Sequence, residues 1–330
     1  MINLEGARFV PGDASGHYES YFLRANHPSR PLSFWIRYTV FSPKGKPQDA
    51  IGELWAVVAD RERGVNLGAK TEVPIAQCRF DRDRLDVRIG DATLADQRFQ
   101  GIARSGAHEI RWYLRYDGGE SPLLFLPEKL YSTKLPKAKS LVIRPMARFS
   151  GLISVDGGAW IEVADWIGSV NHNWGTKHTD RYAYGQVCGF DNARGSFLEV
   201  ATARVKIGPM WTPAMTPIVL RHRGEEFALN RVSQSLRAEA SYRDFFWAFV
   251  SQNERVRIDG AIRARREDFV GLRYYNPPGG MKTCLNSKLA DCHLKVIDRK
   301  TGRTEELLAM QRAAFEILAD DDAQGVAIQA

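Results

Sequence analysis

Leu32-Ser33-Phe34-Trp35-Ile36-Arg37-Tyr38-Thr39-Val40 is the stretch that decides the fold. Leu32, Phe34, Ile36, Tyr38 and Val40 recur at every second position, with Ser33, Arg37 and Thr39 between them. A period of two puts the first set on one face of a β-strand and the second set on the other. The pattern predicts an antiparallel strand with one apolar and one wet face. It recurs downstream. Leu85, Val87 and Ile89 alternate with Arg84, Asp86 and Arg88, and Ile110, Trp112, Leu114 and Tyr116 with Glu109, Arg111, Tyr113 and Arg115. Val256, Ile258 and Ile262 alternate with Arg255, Arg257, Asp259 and Arg263. Between such runs stand Pro43-Lys44-Gly45, Asp117-Gly118-Gly119, Asp156-Gly157-Gly158, Asp191–Gly195 and Asn276–Gly280. Asn, Asp and Gly accept the positive φ of tight hairpins. Many strands at this spacing predict a barrel or sandwich rather than an α/β fold. Helical periodicity is almost absent. Glu305–Leu318 reads either as one amphipathic helix or as a last strand through Ala313-Ala314-Phe315-Glu316-Ile317.

The 330 residues, 44% hydrophobic and 26% charged, are globular in composition and long enough for two domains. We expect a division into residues 1–158 and 159–330, between the basic, proline-punctuated Lys134–Arg148 and Trp160–Trp174. Each half then holds one strong hairpin, Ser33–Asp60 and Tyr182–Lys206. The net charge of +7 raises the question of a phosphate-bearing partner. Acids are interleaved throughout and no Lys/Arg block is present, which argues against nucleic acid. The Arg255, Arg257, Arg263 and Arg265 stripe could serve a non-catalytic interaction protein, or be a solvated face that discourages edge pairing. No apolar run is long enough to span a bilayer, which leaves at most transient contact with a membrane surface. Residues 1–13 lack the basic start and apolar core of a leader. Cys78, Cys188, Cys284 and Cys292 show no CxxC spacing, so the expectation is a cytoplasmic protein with free thiols.

Several chemistries lack their signatures. There is no glycine-rich dinucleotide fingerprint after a strand and no nucleophile elbow. Gly279-Gly280-Met281-Lys282-Thr283 has the wrong spacing for a phosphate loop and reads as a turn followed by a strand. His172, His178, Cys284 and Cys292-His293 lack zinc-site spacing, so neither metal nor cofactor is expected. Polar and aromatic residues are densest from Asn171 to Gln186. One reading makes this a loop whose Asn and His satisfy backbone groups while Trp174 plugs a barrel end. The other makes it the polar mouth of an apolar pocket. A second cluster runs from His17 to Arg24, with Trp35 and Arg37 nearby. Glu19, a carboxylate among aromatics, would have a raised pKa and act as an acid, or would pair with Arg24 or Arg37 to tether strands.

His17-Tyr18-Glu19-Ser20-Tyr21-Phe22 resembles the opening motif of the lipocalin-like superfamily of carotenoid hydratases (hydroxyneurosporene synthases), tocopherol cyclases and AttH-like proteins. Asn173-Trp174-Gly175 is similar to their Asn-Trp-Gly or Asn-Phe-Gly signature. Tyr275-Asn276-Pro277-Pro278-Gly279, Cys284-Leu285-Asn286-Ser287 with Ala290, and Ala313-Ala314-Phe315-Glu316 resemble their C-terminal strands. These landmarks span nearly the whole chain. The resemblance implies an all-β protein of two calycin- or lipocalin-like antiparallel β-barrel halves packed together, with little helix. It implies a hydrophobic, isoprenoid-like small-molecule ligand and, in some members, cofactor-free hydratase, cyclase or isomerase chemistry.

On this reading Trp35, Arg37, Tyr38, Trp55, Trp174, Tyr182 and Tyr184 line the pocket, with Asn171, His172, Asn173 and Glu199 among its polar groups. One departure is sharp. The hydratases and cyclases carry an acid two positions before the signature Asn, and here that position is Asn171. An amide cannot protonate an alkene. The remaining candidates for the acid are Glu19, Asp180 and Glu199, with His178 as a weaker one. The loss at Asn171 tilts the expectation from catalysis toward binding.

Overall fold

The computed structural model describes residues 3–319 and 323–330, and within them the protein is nearly all β with one short helix, α1 (Val232–Arg237). The first sheet is built from β1 (His17–Asn26), β2 (Leu32–Ser42), β3 (Ile51–Asp60), β4 (Val65–Pro74), β5 (Cys78–Phe80) and β6 (Asp86–Ile89). It continues with β7 (Ala92–Ala95), β8 (Arg98–Ser105), β9 (His108–Gly118), β10 (Leu123–Leu124), β11 (Ala138–Val155) and β12 (Ile161–Gly175). Its order is β4-β3-β2-β1-β12-β11-β9-β8-β7-β6-β5, with β10 beside β11. The sheet curls into a nearly closed antiparallel barrel, and the Arg104 amide of β8 donates to Thr71 Oγ1 of β4 at 2.8 Å.

A small separate ribbon joins β15 (Lys206–Ile207) and β16 (Met210–Trp211). The second large sheet holds β13 (Arg181–Phe190), β14 (Ala193–Arg204), β17 (Ile218–His222), β18 (Glu225–Leu229), β19 (Glu239–Arg243) and β20 (Phe246–Gln252). It also holds β21 (Val256–Arg263), β22 (Val270–Tyr275), β23 (Met281–Asp298) and β24 (Thr304–Ala319). The order is β18-β17-β14-β13-β24-β23-β21-β20-β19, with β22 beside β23. This sheet curls over its own core. A methyl group on Gly185 of β13 would stand 2.3 Å from Ile262 Cδ1 of β21, so the opposed walls meet there only because no side chain intervenes.

The sheets decide one open reading, bear on the expected division and correct one expectation. The Glu305–Leu318 segment is strand β24, not a helix: it pairs on one side with β13 and on the other with β23, and those ladders take its backbone hydrogen bonds. The sheets divide the chain after Gly175 rather than at 158/159. β12 pairs with β1 and β11, inside the first sheet, because the turn at Asp156-Gly157-Gly158 returns the chain beside β11. Finally, β2 has no wet face, since every one of its residues is buried. Its Phe34 face packs into the barrel core and its Trp35 face packs against the second sheet. Strands that read as alternating and half-exposed are thus buried on both sides wherever the two sheets meet.

Candidate functional site

The pleat sorts the candidate residues. On β1, β2 and β12 successive side chains alternate between the barrel interior and the inter-sheet layer. Tyr38, His172 and Trp174 share the interior with Tyr21, Phe34 and Trp112. Tyr38 is therefore not a cavity residue. Its hydroxyl lies within reach of the carbonyls of Thr93 and Gln100, which share its one proton, and accepts from Trp112 Nε1. Trp174 lies 5.9 Å from the Tyr131 ring inside the barrel. Trp174→Ala should accordingly cost about 3 kcal/mol in a denaturant melt while ligand-probe affinity stays unchanged. The glycine of the Asn173-Trp174-Gly175 signature has a packing reason, because a Cβ there would stand 2.1 Å from the Lys137 carbonyl oxygen.

Trp35, Arg37, Asn173, His178, Tyr182 and Tyr184 face the inter-sheet layer, where they border a cavity of about 290 Å³. Tyr18, Phe22, Tyr274, Glu316 and the loop around Phe125–Lys139 complete its wall. Trp55 packs just behind, edge-on to Tyr274 at 5.3 Å. Buried polar atoms without a hydrogen-bond partner lie along this wall: Trp35 Nε1, Arg37 Nε and Asn173 Oδ1. Such atoms are rare in a folded interior.

Asn171 and Glu199 lie in the same layer, joined by one side chain. Gln186 Nε2 donates to Asn171 Oδ1 and to Glu199 Oε2, both at 2.8 Å. Ser169 Oγ donates to Gln186 Oε1 at 2.7 Å, and Asn171 Nδ2 donates to Ser169 Oγ at 2.9 Å and to the Phe22 carbonyl at 3.1 Å. Strand register explains the grouping, since Gln186 pairs with Glu199 and the next row joins Tyr184 to Ala201 and Glu316. Glu199 is 1% exposed, and burial drives its carboxyl pKa up to about 8 against the moderating amide of Gln186. The Tyr184 hydroxyl stands beside this carboxyl, which lies one row from the cavity that Tyr184 lines.

The other acid candidates are placed differently. Glu19 sits in the barrel side of β1, accepting from the Arg8 and Phe9 amides at 2.8 Å, from His17 Nε2 at 3.0 Å and from His172 Nε2 at 2.7 Å. Burial alone would raise its pKa, but the two histidines overcome that and bring it down to about 2. Neither Arg24 nor Arg37 pairs with it. Asp180 feels burial upward, but Lys177 at 2.7 Å, the Lys206 amide and Lys282 together outweigh it, so its carboxyl lies below the ordinary range. His178 does border the cavity, stacked on Tyr18 at 3.8 Å. Burial and then Arg37 push its pKa down to about 3, so the ring is neutral.

Sequence reading missed Tyr274, Lys139 and Glu316 on the wall. Glu316 falls in a run quoted only for its strand pattern, and nothing in the spacing signals that Lys288 holds it at 2.8 Å. A larger, open groove of about 610 Å³ lies around His222. There Ser196 Oγ meets His222 Nδ1 at 2.7 Å and His222 Nε2 meets Glu305 Oε2 at 2.9 Å. Arg223 and Arg303 hold the same carboxylate at 3.0 and 3.1 Å, and Ser196 is buried, so the chain of bonds ties strand ends together. Among the described residues no group of three His, Cys, Asp or Glu is placed to hold a metal ion, and no helix is long and apolar enough to cross a membrane. The four cysteines are free thiols.

No family model matches the chain. Two uncharacterized proteins of Mycobacterium tuberculosis, Rv0493c of strain H37Rv and MT0513 of strain CDC 1551, are each 24% identical over 295 residues, covering 86% of this chain and 82% of theirs. The AttH-like protein NE1406 of Nitrosomonas europaea superposes with a TM-score of 0.57 at 15% identity, over 95% of this chain and 99% of that one. Kievitone hydratase of Nectria haematococca gives a TM-score of 0.56 at 10% identity, over 94% and 90%. CghA, solved with Sch210972, gives 0.55 at 11% identity, over 97% and 96%. At these identities the likeness is one of architecture, and the chain has the two-sheet, lipocalin-like fold of this AttH-like and hydratase group.

Proposed function

We propose that the protein binds a hydrophobic, isoprenoid-like small molecule between its two sheets and adds a proton to a carbon–carbon double bond of that molecule, as a hydratase does. The observation that carries this reading is the buried Glu199 carboxyl, held by Gln186 and standing beside Tyr184, whose ring lines the aromatic cavity; burial raises its pKa to about 8, which favours the protonated acid. Apolar walls supply affinity at about 25 cal/mol per Å² removed from water, and the few polar groups fix orientation. Glu199 gives its proton, with the Tyr184 hydroxyl between carboxyl and cavity, to one olefinic carbon. The neighbouring carbon becomes cationic and the faces of Trp35 and Tyr182 stabilise it. Water adds to that carbon and returns a proton to the carboxylate, so the net change is addition of one water. The shared architecture with a protein named as a hydratase supports the class of reaction.

The basic-surface alternative finds less support. Arg255 pairs with Glu225 at 2.7 Å, Arg263 with Asp291 at 3.4 Å and Arg265 with Asp268 at 2.9 Å, so the stripe carries its own counter-charges.

The neutral probe 1-aminoanthracene tests the cavity. It should brighten on binding and quench Trp35. Ala201→Phe places a ring on the cavity wall, and should weaken that binding about tenfold or more while the melting temperature holds within a few degrees. Equal affinity in this variant would put the probe elsewhere and end the reading.

A further inference from the structure

Arg37 is the most unusual charge in the protein. It is 4% exposed, borders the cavity, and makes no hydrogen bond or ion pair among the described residues. Its guanidinium carbon lies 4.4 Å from the centre of the Tyr274 ring, which covers one face and leaves the donor edge unclaimed. Arg24, the other buried arginine of this layer, differs at its terminal nitrogens: Nη1 and Nη2 donate to the carbonyls of Gln186 and Arg312 and to the Asn26 side chain, and its Nε alone is left without a partner. The carboxylates nearest Arg37 act on it only through space. Glu53 is held by Lys70 at 2.7 Å and Glu316 by Lys288 at 2.8 Å.

A buried cation with no hydrogen-bonding anion is costly, and proteins keep one where something else completes it. The rest of the wall points the same way. Lys139 adds a second cation, 8% exposed, whose ammonium donates only to the neutral carbonyls of Thr133 and Pro136. Glu316 is the wall's one carboxylate, and His178 beside Arg37 is neutral. The cavity is therefore apolar in shape and positive in charge.

We infer that the molecule bound between the sheets is an amphipathic monoanion, an apolar body bearing one carboxylate-type group that the free edge of Arg37 binds. A guanidinium suits a planar oxyanion, since its parallel N–H groups can donate to both oxygens. The inference rests on the cavity reading and sharpens its chemistry. An uncompensated Arg37 would oppose a carbocation forming in the same space, whereas an anionic group on the ligand cancels that field and makes aromatic stabilisation effective.

Two isosteric probes test it near neutral pH, anthracene-9-carboxylate and anthracene-9-carboxamide, titrated by fluorescence. The wild-type protein should bind the carboxylate about thirty-fold more tightly, the difference between a charge-assisted pair and a neutral contact. Arg37→Gln should bring the two affinities together by weakening the carboxylate alone. Arg37→Lys keeps the charge and should retain part of the preference, so wild type and this variant decide the matter even where the glutamine variant fails to fold. Equal wild-type affinities would overturn the anionic ligand and leave the cavity reading standing, since the carboxamide fills the same space. A preference that survives in Arg37→Gln would overturn the assignment to Arg37. Binding of neither probe would remove both.

Discussion

Glu19→Gln destabilises the fold by on the order of 4 kcal/mol at neutral pH, the cost of taking one charge out of a buried hydrogen-bonded pair. Every atom facing the carboxylate is a backbone amide or an imidazole nitrogen, and the substituted amide would turn an N–H toward at least one of them. The damage spreads because this carboxylate pins Arg8 and Phe9, in the segment ahead of β1, onto β1 and, through His172, ties them to the β12 strand that carries Asn173. The same pair gives the acid limb of stability. Glu19 has a folded pKa of about 2, below the ordinary 4.5, so its contribution is present above about pH 4.5 and is lost as pH falls through 2. At 1.36 kcal/mol per unit that loss is roughly 3 kcal/mol. Urea melts across this range should show wild type approaching Glu19→Gln as the solution becomes acidic. Equal stability of the two proteins at neutral pH would sink the argument.

The strand pattern of this chain was readable because it is local. Alternation in Leu32–Val40 and in Ile110–Tyr116, with Asn-, Asp- and Gly-rich turns, follows from the two-residue period alone. What the period does not contain is what lies against the second face. Arg37 and Ser33 look like solvent-facing residues until the second sheet is placed over them, and then the same positions become cavity wall and buried layer. The Glu305–Leu318 ambiguity has the same origin, since a strand buried on both sides loses its alternation.

The candidate site split along the pleat. Asn173 and Trp174 are adjacent in a signature that reads as one unit, yet they face opposite sides of β12, one toward the cavity and one toward the barrel core. The sign of a pKa shift was equally out of reach. Glu19 and Glu199 are both buried carboxylates. Two histidines face the first and a neutral amide faces the second, and that difference, set by residues 153 and 13 positions away, sends them in opposite directions. The sequence offers Glu199 as one of three candidate acids, and only three dimensions show that Gln186 connects it to position 171.

Glu199→Gln should abolish proton delivery while leaving the cavity intact. Glutamine keeps the shape, and its carbonyl can still accept from Gln186 Nε2. Turnover should fall by about 10²–10⁴, the usual worth of a positioned acid, with 1-aminoanthracene affinity unchanged. The assay uses the small molecule that native mass spectrometry identifies in protein purified from its own host. A pH series supplies a readout that needs no substrate. The folded pKa of Glu199, about 8, lies above the ordinary 4.5, so the folded state holds a proton that the unfolded state releases. Its contribution is therefore complete below about pH 4.5 and disappears as pH rises through 8. From about pH 5 to about pH 8, roughly 3 units at 1.36 kcal/mol each, wild type should lose about 4 kcal/mol relative to Glu199→Gln. The comparison cancels the contributions of Glu53 and His178, which both proteins share. Wild-type turnover should be level in acid and fall as the donor ionises near pH 8. Parallel stability curves would mean that Glu199 is ionised throughout, and a carboxylate in that state cannot be the proton source.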